Sequence, residues 1–118
     1  MLKKKVLIFS PTFNEKNNVI SFLNYFKLNY SNFDLLIVDD NSPDNTFLIL
    51  KLNSLNDKNI KVIKRKKKMG LDTAYKFALT YAFKNRYDYL VSIDFDLQHD
   101  LSDIKKILFY LKNNNFVI

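Results

Sequence analysis

Asp94, Asp96 and Gln98 stand at alternate positions just after the apolar run Leu90-Val91-Ser92-Ile93 and offer three oxygen donors close together. Hard cations such as Mg²⁺ or Mn²⁺ take carboxylate and amide oxygens, with phosphate groups and water completing the shell. The same stretch equally suits an acidic loop leading into a helix, with Asp100 or Ser102 as its N-cap. A second acidic pair, Asp39-Asp40, closes the run Leu35-Leu36-Ile37-Val38. Two adjacent carboxylates cost stability unless they are hydrogen-bonded or solvated. Asn41-Ser42-Pro43-Asp44 behind them is turn chemistry, so one aspartate can serve a ligand while Asp44 starts a helix. Lys64 to Lys68 is a basic run that reads as a solvated loop, a phosphate clamp or a nucleic-acid patch. No aromatic residue interleaves with it, which weakens the last of these. His99 follows the oxygen donors directly, and a lone loop histidine is more often structural or solvent-facing.

Other chemistries are excluded by counting. The chain has one glycine, Gly70, whereas a dinucleotide fingerprint needs three and a P-loop two. With no cysteine there are no disulfides and no thiolate zinc sites, which suits a reducing compartment. A single histidine leaves no two-histidine metal site. Nineteen Lys and Arg against twelve Asp and Glu give a net charge of +7, which favours anionic partners. The abundance of Lys, Asn, Ile and Phe also resembles a general compositional bias, so part of the basicity carries no functional message. The longest apolar runs fall far short of the ~20 residues of a membrane span. The four apolar residues after Lys3-Lys4-Lys5 are too few for a signal peptide.

The elements that must position these residues follow from the apolar pattern. Val6-Leu7-Ile8-Phe9, Leu35 to Val38, the weaker Ile60 to Ile63, and Leu90 to Ile93 are short continuous runs. Runs of this kind fit strands buried on both faces of a parallel sheet. Between them, Val19, Phe22, Leu23 and Phe26 recur at helical spacing, as do Ala74, Phe77, Ala78, Tyr81 and Ala82. Ile104, Ile107, Leu108 and Leu111 predict a further helix, and Leu48, Leu52 and Leu55 a fainter stripe. Phe116-Val117-Ile118 reads as the start of a fifth strand. The alternation predicts an α/β fold, a parallel sheet with helices on both faces, formed by a single domain over 1–118. Ligands of such sheets bind beyond the carboxyl ends of the strands. The only glutamate, both acidic groups, the only histidine and the basic run all fall on that edge. An ending inside a strand-like run reads as the first half of something longer.

Pro11-Thr12-Phe13-Asn14-Glu15, Val38-Asp39-Asp40-Asn41-Ser42-Pro43-Asp44-Asn45-Thr46, Gly70-Leu71-Asp72-Thr73-Ala74-Tyr75 and Asp94-Phe95-Asp96-Leu97-Gln98-His99 follow one another across the chain. In order and spacing these stretches resemble glycosyltransferase family 2, and within it the polyprenol-phosphate (dolichyl-phosphate) mannosyltransferases. The resemblance implies the Rossmann-like, nucleotide-binding half of a GT-A fold. It implies that Pro11, Phe13 and Glu15 contact the base and ribose of a nucleotide sugar, and that Val38 and Asp40 flank the base. It further implies that Asp94, Phe95 and Asp96 line the donor's ribose and diphosphate, with Asp94, Asp96 and Gln98 around Mg²⁺ or Mn²⁺. The implied reaction moves a hexose, mannose in the subgroup resembled, from a GDP- or UDP-sugar to a polyprenol or dolichyl phosphate with inversion. Asp96 is then the residue expected to be indispensable to catalysis.

A phosphate monoester acceptor is already anionic near neutral pH, so attack demands no strong base. The reaction does demand stabilisation of the departing diphosphate, by a Lewis-acid metal and by positive charge nearby. The resemblance implies a lipid-phosphate acceptor at a membrane surface, a peripheral place on the cytoplasmic face, and no nucleic-acid partner. Acceptor-side strands, phosphate-binding arginines and membrane-associating segments would lie beyond Ile118. Three positions depart from the pattern. Phe95 replaces a small residue and either crowds the donor or turns into the core. Asn45 replaces a common glycine, which asparagine's tolerance of left-handed turns allows. Asp72 replaces a small residue and can cap a helix. Rival readings are a phosphoacceptor receiver domain, a non-catalytic nucleotide-binding or interaction module, and a basic nucleic-acid binder.

Overall fold

A computed structural model describes residues 4–95 throughout, together with the backbone of 107–110 and 115–117. The elements are β1 (Val6–Thr12), a single 3₁₀ turn (Lys16–Asn18), α1 (Val19–Asn29), β2 (Asp34–Asp39), α2 (Thr46–Asn53), β3 (Ile60–Lys64), α3 (Leu71–Lys84), β4 (Tyr89–Ser92), β5 (Ile107–Tyr110) and β6 (Asn115–Val117). They form one six-stranded sheet in the order β3-β2-β1-β4-β5-β6. β1 to β4 are mutually parallel where they pair, with Ile8 opposite Leu35 on one side and Val91 on the other.

The strand order explains the layers. From β1 the chain steps outward to β2 and β3, then returns past β1 to β4. Right-handed crossovers taken in opposite directions must put their helices on opposite faces. Accordingly Val19, Phe22, Leu23 and Phe26 of α1 and Leu50 of α2 pack with Ile8, Leu35, Ile37 and Val62. On the other face Ala74, Ala78 and Ala82 of α3 pack with Leu7, Phe9, Leu36, Val38 and Leu90. Alternate residues of each strand thus feed alternate layers, which is why β1 and β2 are apolar at nearly every position. The three alanines let α3 lie close to the sheet, while Phe77 and Tyr81 stack on one another at its outer flank (centroids 6.4 Å apart).

Two expectations are corrected. The helix predicted through Ile107 and Leu108 is absent at those positions. Ile107–Tyr110 instead pairs antiparallel with β4, and β6 pairs antiparallel with β5. Ile-Leu-Phe-Tyr is a β-prone run, and the open side of β4 supplies ladder partners that local helical periodicity cannot match. The sheet is therefore mixed, a four-stranded parallel part extended by two antiparallel strands.

The second correction concerns α2, where Leu48 and Leu52 are 53% and 61% exposed, as is Leu55 just beyond it at 71%. The buried side is Thr46, Leu50 and Ser54. Polar residues occupy that face because their hydroxyls are satisfied locally. Thr46 donates to Asp44 and accepts from the Glu15 N–H, and Ser54 donates to the Leu50 carbonyl at 2.7 Å.

Candidate active site

The carboxyl ends of β1, β2 and β3 carry three loops that fasten to one another. Asp39, the last residue of β2, is fully buried. Its Oδ1 accepts the Thr12 hydroxyl (2.8 Å) and the Ser42 hydroxyl (2.6 Å), and its Oδ2 accepts the Ser42 N–H (2.9 Å). Three donors meet the desolvation cost of a buried carboxylate, so this member of the acidic pair is spoken for within the protein. The turn after β1 is stitched to the turn after β2 by main-chain donors. Asn14 N–H reaches Ser42 Oγ (2.9 Å), Glu15 N–H reaches Thr46 Oγ1 (3.0 Å), and Lys16 N–H reaches Asp44 Oδ2 (3.2 Å).

Left-handed backbone at Asn14 (φ 54°), Asn41 (φ 61°) and Asn45 (φ 70°) lets both turns close. Asparagine is the residue after glycine best able to adopt it. Asp44 also accepts the Thr46 N–H (3.0 Å) at the start of α2, the helix-starting role expected of it. Burial works to raise the Asp44 pKa, but these donors and the Lys16 charge outweigh it and hold the carboxyl below its ordinary value.

Asp40 faces the other way. Its Oδ1 accepts the Met69 N–H (2.9 Å) and pairs with Arg65 Nη2 (2.9 Å), and its Oδ2 accepts the Gly70 N–H (3.0 Å). Both charged side chains are about nine-tenths buried, at 8% and 10% relative exposure. Burial acts to raise the Asp40 pKa. The two amide donors and the positive charges of Arg65 and Lys68 overcome it, so the carboxyl titrates below its ordinary value and stays ionised at neutral pH.

Arg65 also donates from Nη1 to Thr73 Oγ1 (2.6 Å) and from Nη2 to the Gly70 carbonyl (2.8 Å). Among the described residues its buried Nε has no hydrogen-bond partner. Gly70 sits at φ +92°, where a side chain would strain the backbone, and so permits the turn that aims two N–H groups at one carboxylate. Gly70 is the N-cap of α3; Asp72, expected as a cap, lies in the first turn instead.

These residues enclose a cleft of about 260 Å³ lined by Pro11, Thr12, Phe13, Glu15, Asp40, Arg65, Lys68, Gly70, Leu71 and Ala74. Lys68 Nζ stands 4.0 Å from the centroid of the Phe13 ring. Glu15 accepts the Asn18 side-chain amide at 2.7 Å. Of the residues singled out in the sequence, Pro11, Phe13, Glu15 and Asp40 come together here. Val38 and Phe95 do not. Val38 is fully buried under α3, and Phe95 is buried on the opposite face, its ring 4.1 Å from that of Phe22 and stacked on it. Their side chains are core groups, and the alternative in which Phe95 turns inward is the one observed.

Asp94 is exposed just beyond β4, on the same edge. Asp96, Gln98 and His99 lie outside the described residues. Among the described residues no three His, Asp or Glu side chains converge as a metal site. Two carboxylates and an amide oxygen nonetheless suit Mg²⁺ or Mn²⁺ chemically, and the exposure of Asp94 leaves its carboxylate accessible.

Arg65 is the cleft-lining residue that the sequence reading missed, hidden in a run of lysines. The available signal was its type: it is one of two arginines in the chain, and arginine rather than lysine is suited to a buried, multiply bonded ion pair. The aromatic partner missing from the basic run in sequence is supplied in space by Phe13. The receiver reading fails on topology and chemistry together. The sheet order puts β1 between β2 and β4, and neither Asp39 nor Asp40 is a free nucleophile.

Comparison with known proteins agrees with this architecture. Residues 7–118 match the model of the family described as glycosyl transferase family 2. The dolichol-phosphate mannosyltransferase of Pyrococcus furiosus is 35% identical over 115 residues, covering 94% of this chain and 31% of that protein. The undecaprenyl-phosphate mannosyltransferase of Micrococcus luteus is 30% identical over 114 residues, covering 97% of this chain and 47% of that protein. Among solved structures, a mannosyltransferase from Pyrobaculum calidifontis in complex with GDP-Man and Mn²⁺ superposes with a TM-score of 0.67. It is 21% identical, over 80% of this chain and 28% of that one, a likeness of fold. The chain thus spans under half the length of these curated relatives. With the family model matching residues 7–118, nearly the whole sequence, this chain belongs to glycosyl transferase family 2.

Proposed function

We propose that this chain is the donor-binding part of an enzyme that transfers a hexose, mannose by the names of its relatives, from a nucleoside-diphosphate sugar to a polyprenol or dolichyl phosphate. The observation that carries the reading is the cleft at the carboxyl ends of β1 to β3, with an ionised and immobilised Asp40 among its lining residues. A fixed carboxylate is a hydrogen-bond acceptor for the N–H edge of a nucleobase. The Phe13 ring and the Leu71 and Ala74 side chains supply apolar surface for its faces. A cleft of about 260 Å³ accommodates a base and ribose rather than a whole nucleotide sugar. The diphosphate would then run toward Asp94 along the same edge. Lys68 lines the cleft and adds positive charge that favours an anionic ligand there.

Asp94, Asp96 and Gln98 are the residues we assign to a Mg²⁺ or Mn²⁺ ion, which when bound supplies Lewis-acid stabilisation of the departing diphosphate. Asp96 is assigned the catalytic part through that role, and the acceptor phosphate attacks with inversion. An enzyme of this kind works peripherally at the cytoplasmic face of a membrane, and among the described residues no helix is long and apolar enough to cross one.

Calorimetric titration of the chain with GDP and with UDP, each with and without Mn²⁺, tests the reading. We expect one nucleotide to bind, more tightly with Mn²⁺, and Asp96→Ala to abolish the metal-dependent part. Failure of a folded chain to bind either nucleotide would overturn the donor-site assignment.

A further inference from the structure

In the loop between β3 and α3, Lys66, Lys67 and Met69 are exposed and line no part of the cleft. Lys68 is exposed as well, and the large apolar side chains Met69 and Leu71 are so at 49% and 56%. Among the described residues no acidic side chain pairs with Lys66 or Lys67. The loop is nevertheless anchored at both ends by one buried group, since Asp40 holds Arg65 at its start and the Met69 and Gly70 N–H groups at its end. Lys66, Lys67 and Met69 are therefore displayed from a fixed root, next to Lys68 and Leu71 of the cleft.

We propose that Lys66, Lys67 and Met69, beside the cleft, form a docking surface for an anionic lipid bilayer. Anionic headgroups attract clustered lysines, and apolar side chains beside them enter the interfacial region. The net charge of +7 adds a long-range attraction of the same sign. A nucleic acid would meet the lysines equally well but leaves the exposed Met69 unused, and the ring beside Lys68, Phe13, lines the cleft and is not part of this loop. Leu71 and Lys68 also line the cleft. A bilayer seated on this loop therefore lies at the mouth of the nucleotide site, where a lipid-linked phosphate can reach a bound donor. That last step rests on the proposed function; the docking itself does not.

The test is cosedimentation of the whole 118-residue chain with vesicles of phosphatidylcholine, and of phosphatidylcholine containing one-third phosphatidylglycerol. The chain is expected to partition onto the anionic vesicles only. Lys66→Gln/Lys67→Gln should lower that partition about 30-fold, roughly fivefold for each lysine near the surface. Met69→Ser should lower it further in salt high enough to screen the lysines. Both variants change exposed side chains and should keep the wild-type unfolding temperature and nucleotide affinity.

Equal partition onto neutral vesicles, or no effect of the double substitution, overturns the inference. So does displacement from the vesicles by a single-stranded oligonucleotide. A chain that binds nucleotide but no vesicle refutes this surface alone. One that binds anionic vesicles but no nucleotide refutes the proposed function and leaves the surface standing.

Discussion

Replacing Asp40 by asparagine keeps the shape of the side chain and removes its charge. The wild-type carboxylate accepts two amide N–H groups and the Arg65 guanidinium, at 2.9 to 3.0 Å. Asparagine offers a single acceptor oxygen, and its own N–H groups must face either the Gly70 N–H or Arg65. In both cases the arginine is left buried without its counter-charge. Removing one partner of a buried pair costs about 3–5 kcal/mol. Arg65 keeps its bonds to Thr73 and the Gly70 carbonyl, so the lower part of that range, about 3 kcal/mol, is expected.

That loss is a large fraction of the roughly 5–15 kcal/mol that holds a small domain together. It should lower Tm by about 10–15 °C at the 3–5 °C per kcal/mol usual for this size. Urea unfolding followed by circular dichroism at neutral pH measures it, with the denaturant slope expected unchanged. Arg65→Met and the double variant complete a cycle. The double variant should be at least about 1.5 kcal/mol more stable than the sum of the single losses predicts, because it leaves no orphaned charge. A single-variant loss under about 1 kcal/mol, or strict additivity, would refute the view that Asp40 and Arg65 form one buried unit.

Two further outcomes can be checked on the same chain. Asp40 and Asp44 both titrate below the ordinary value of 3.8 in the fold, so the stability they contribute is fully present above that value and is lost as pH falls through their folded-state values. Unfolding measured from neutral pH down into the acid range should show this decline, with a shallower slope in Asp40→Asn. On α2, Leu50→Ala should cost about 2–5 kcal/mol while Leu52→Ala stays within about 0.5 kcal/mol, since Leu50 is fully buried and Leu52 is 61% exposed; equal losses would mean that α2 presents a different face to the sheet.

Which parts of this molecule could be read from sequence follows from how local each signal is. The strands β1 to β4 and the buried face of α1 are written in runs of apolar residues, and a parallel sheet with helices on both sides is nearly forced by their alternation. The apolar stripe of α2 misleads because the rotation of that helix is set by Thr46, whose hydroxyl must meet Asp44 and the Glu15 N–H in a neighbouring loop. Periodicity records hydrophobicity and cannot see such a bond. Ile107–Tyr110 misleads similarly, its partner being a strand edge fifteen or more residues away.

At the site, Pro11, Phe13, Glu15 and Asp40 were legible through their place after strands. The division of labour between Asp39 and Asp40 was not, for it depends on which side of the sheet edge each carboxylate turns to. Arg65 was hidden for a similar reason: its partner is 25 residues earlier in the chain, and only the fold brings them within 2.9 Å.

The stitching of the first two loops has a kinetic consequence. Three main-chain donors of the β1–α1 turn end on side chains of the β2–α2 turn, so neither turn can open without breaking bonds to the other. A ligand arriving at this edge finds the wall formed by Phe13 and Glu15 already held in place by the neighbouring turn and has little loop entropy to quench there. Association should accordingly follow single-step kinetics close to rigid docking, with differences in affinity between ligands of the cleft expressed in how fast each one leaves.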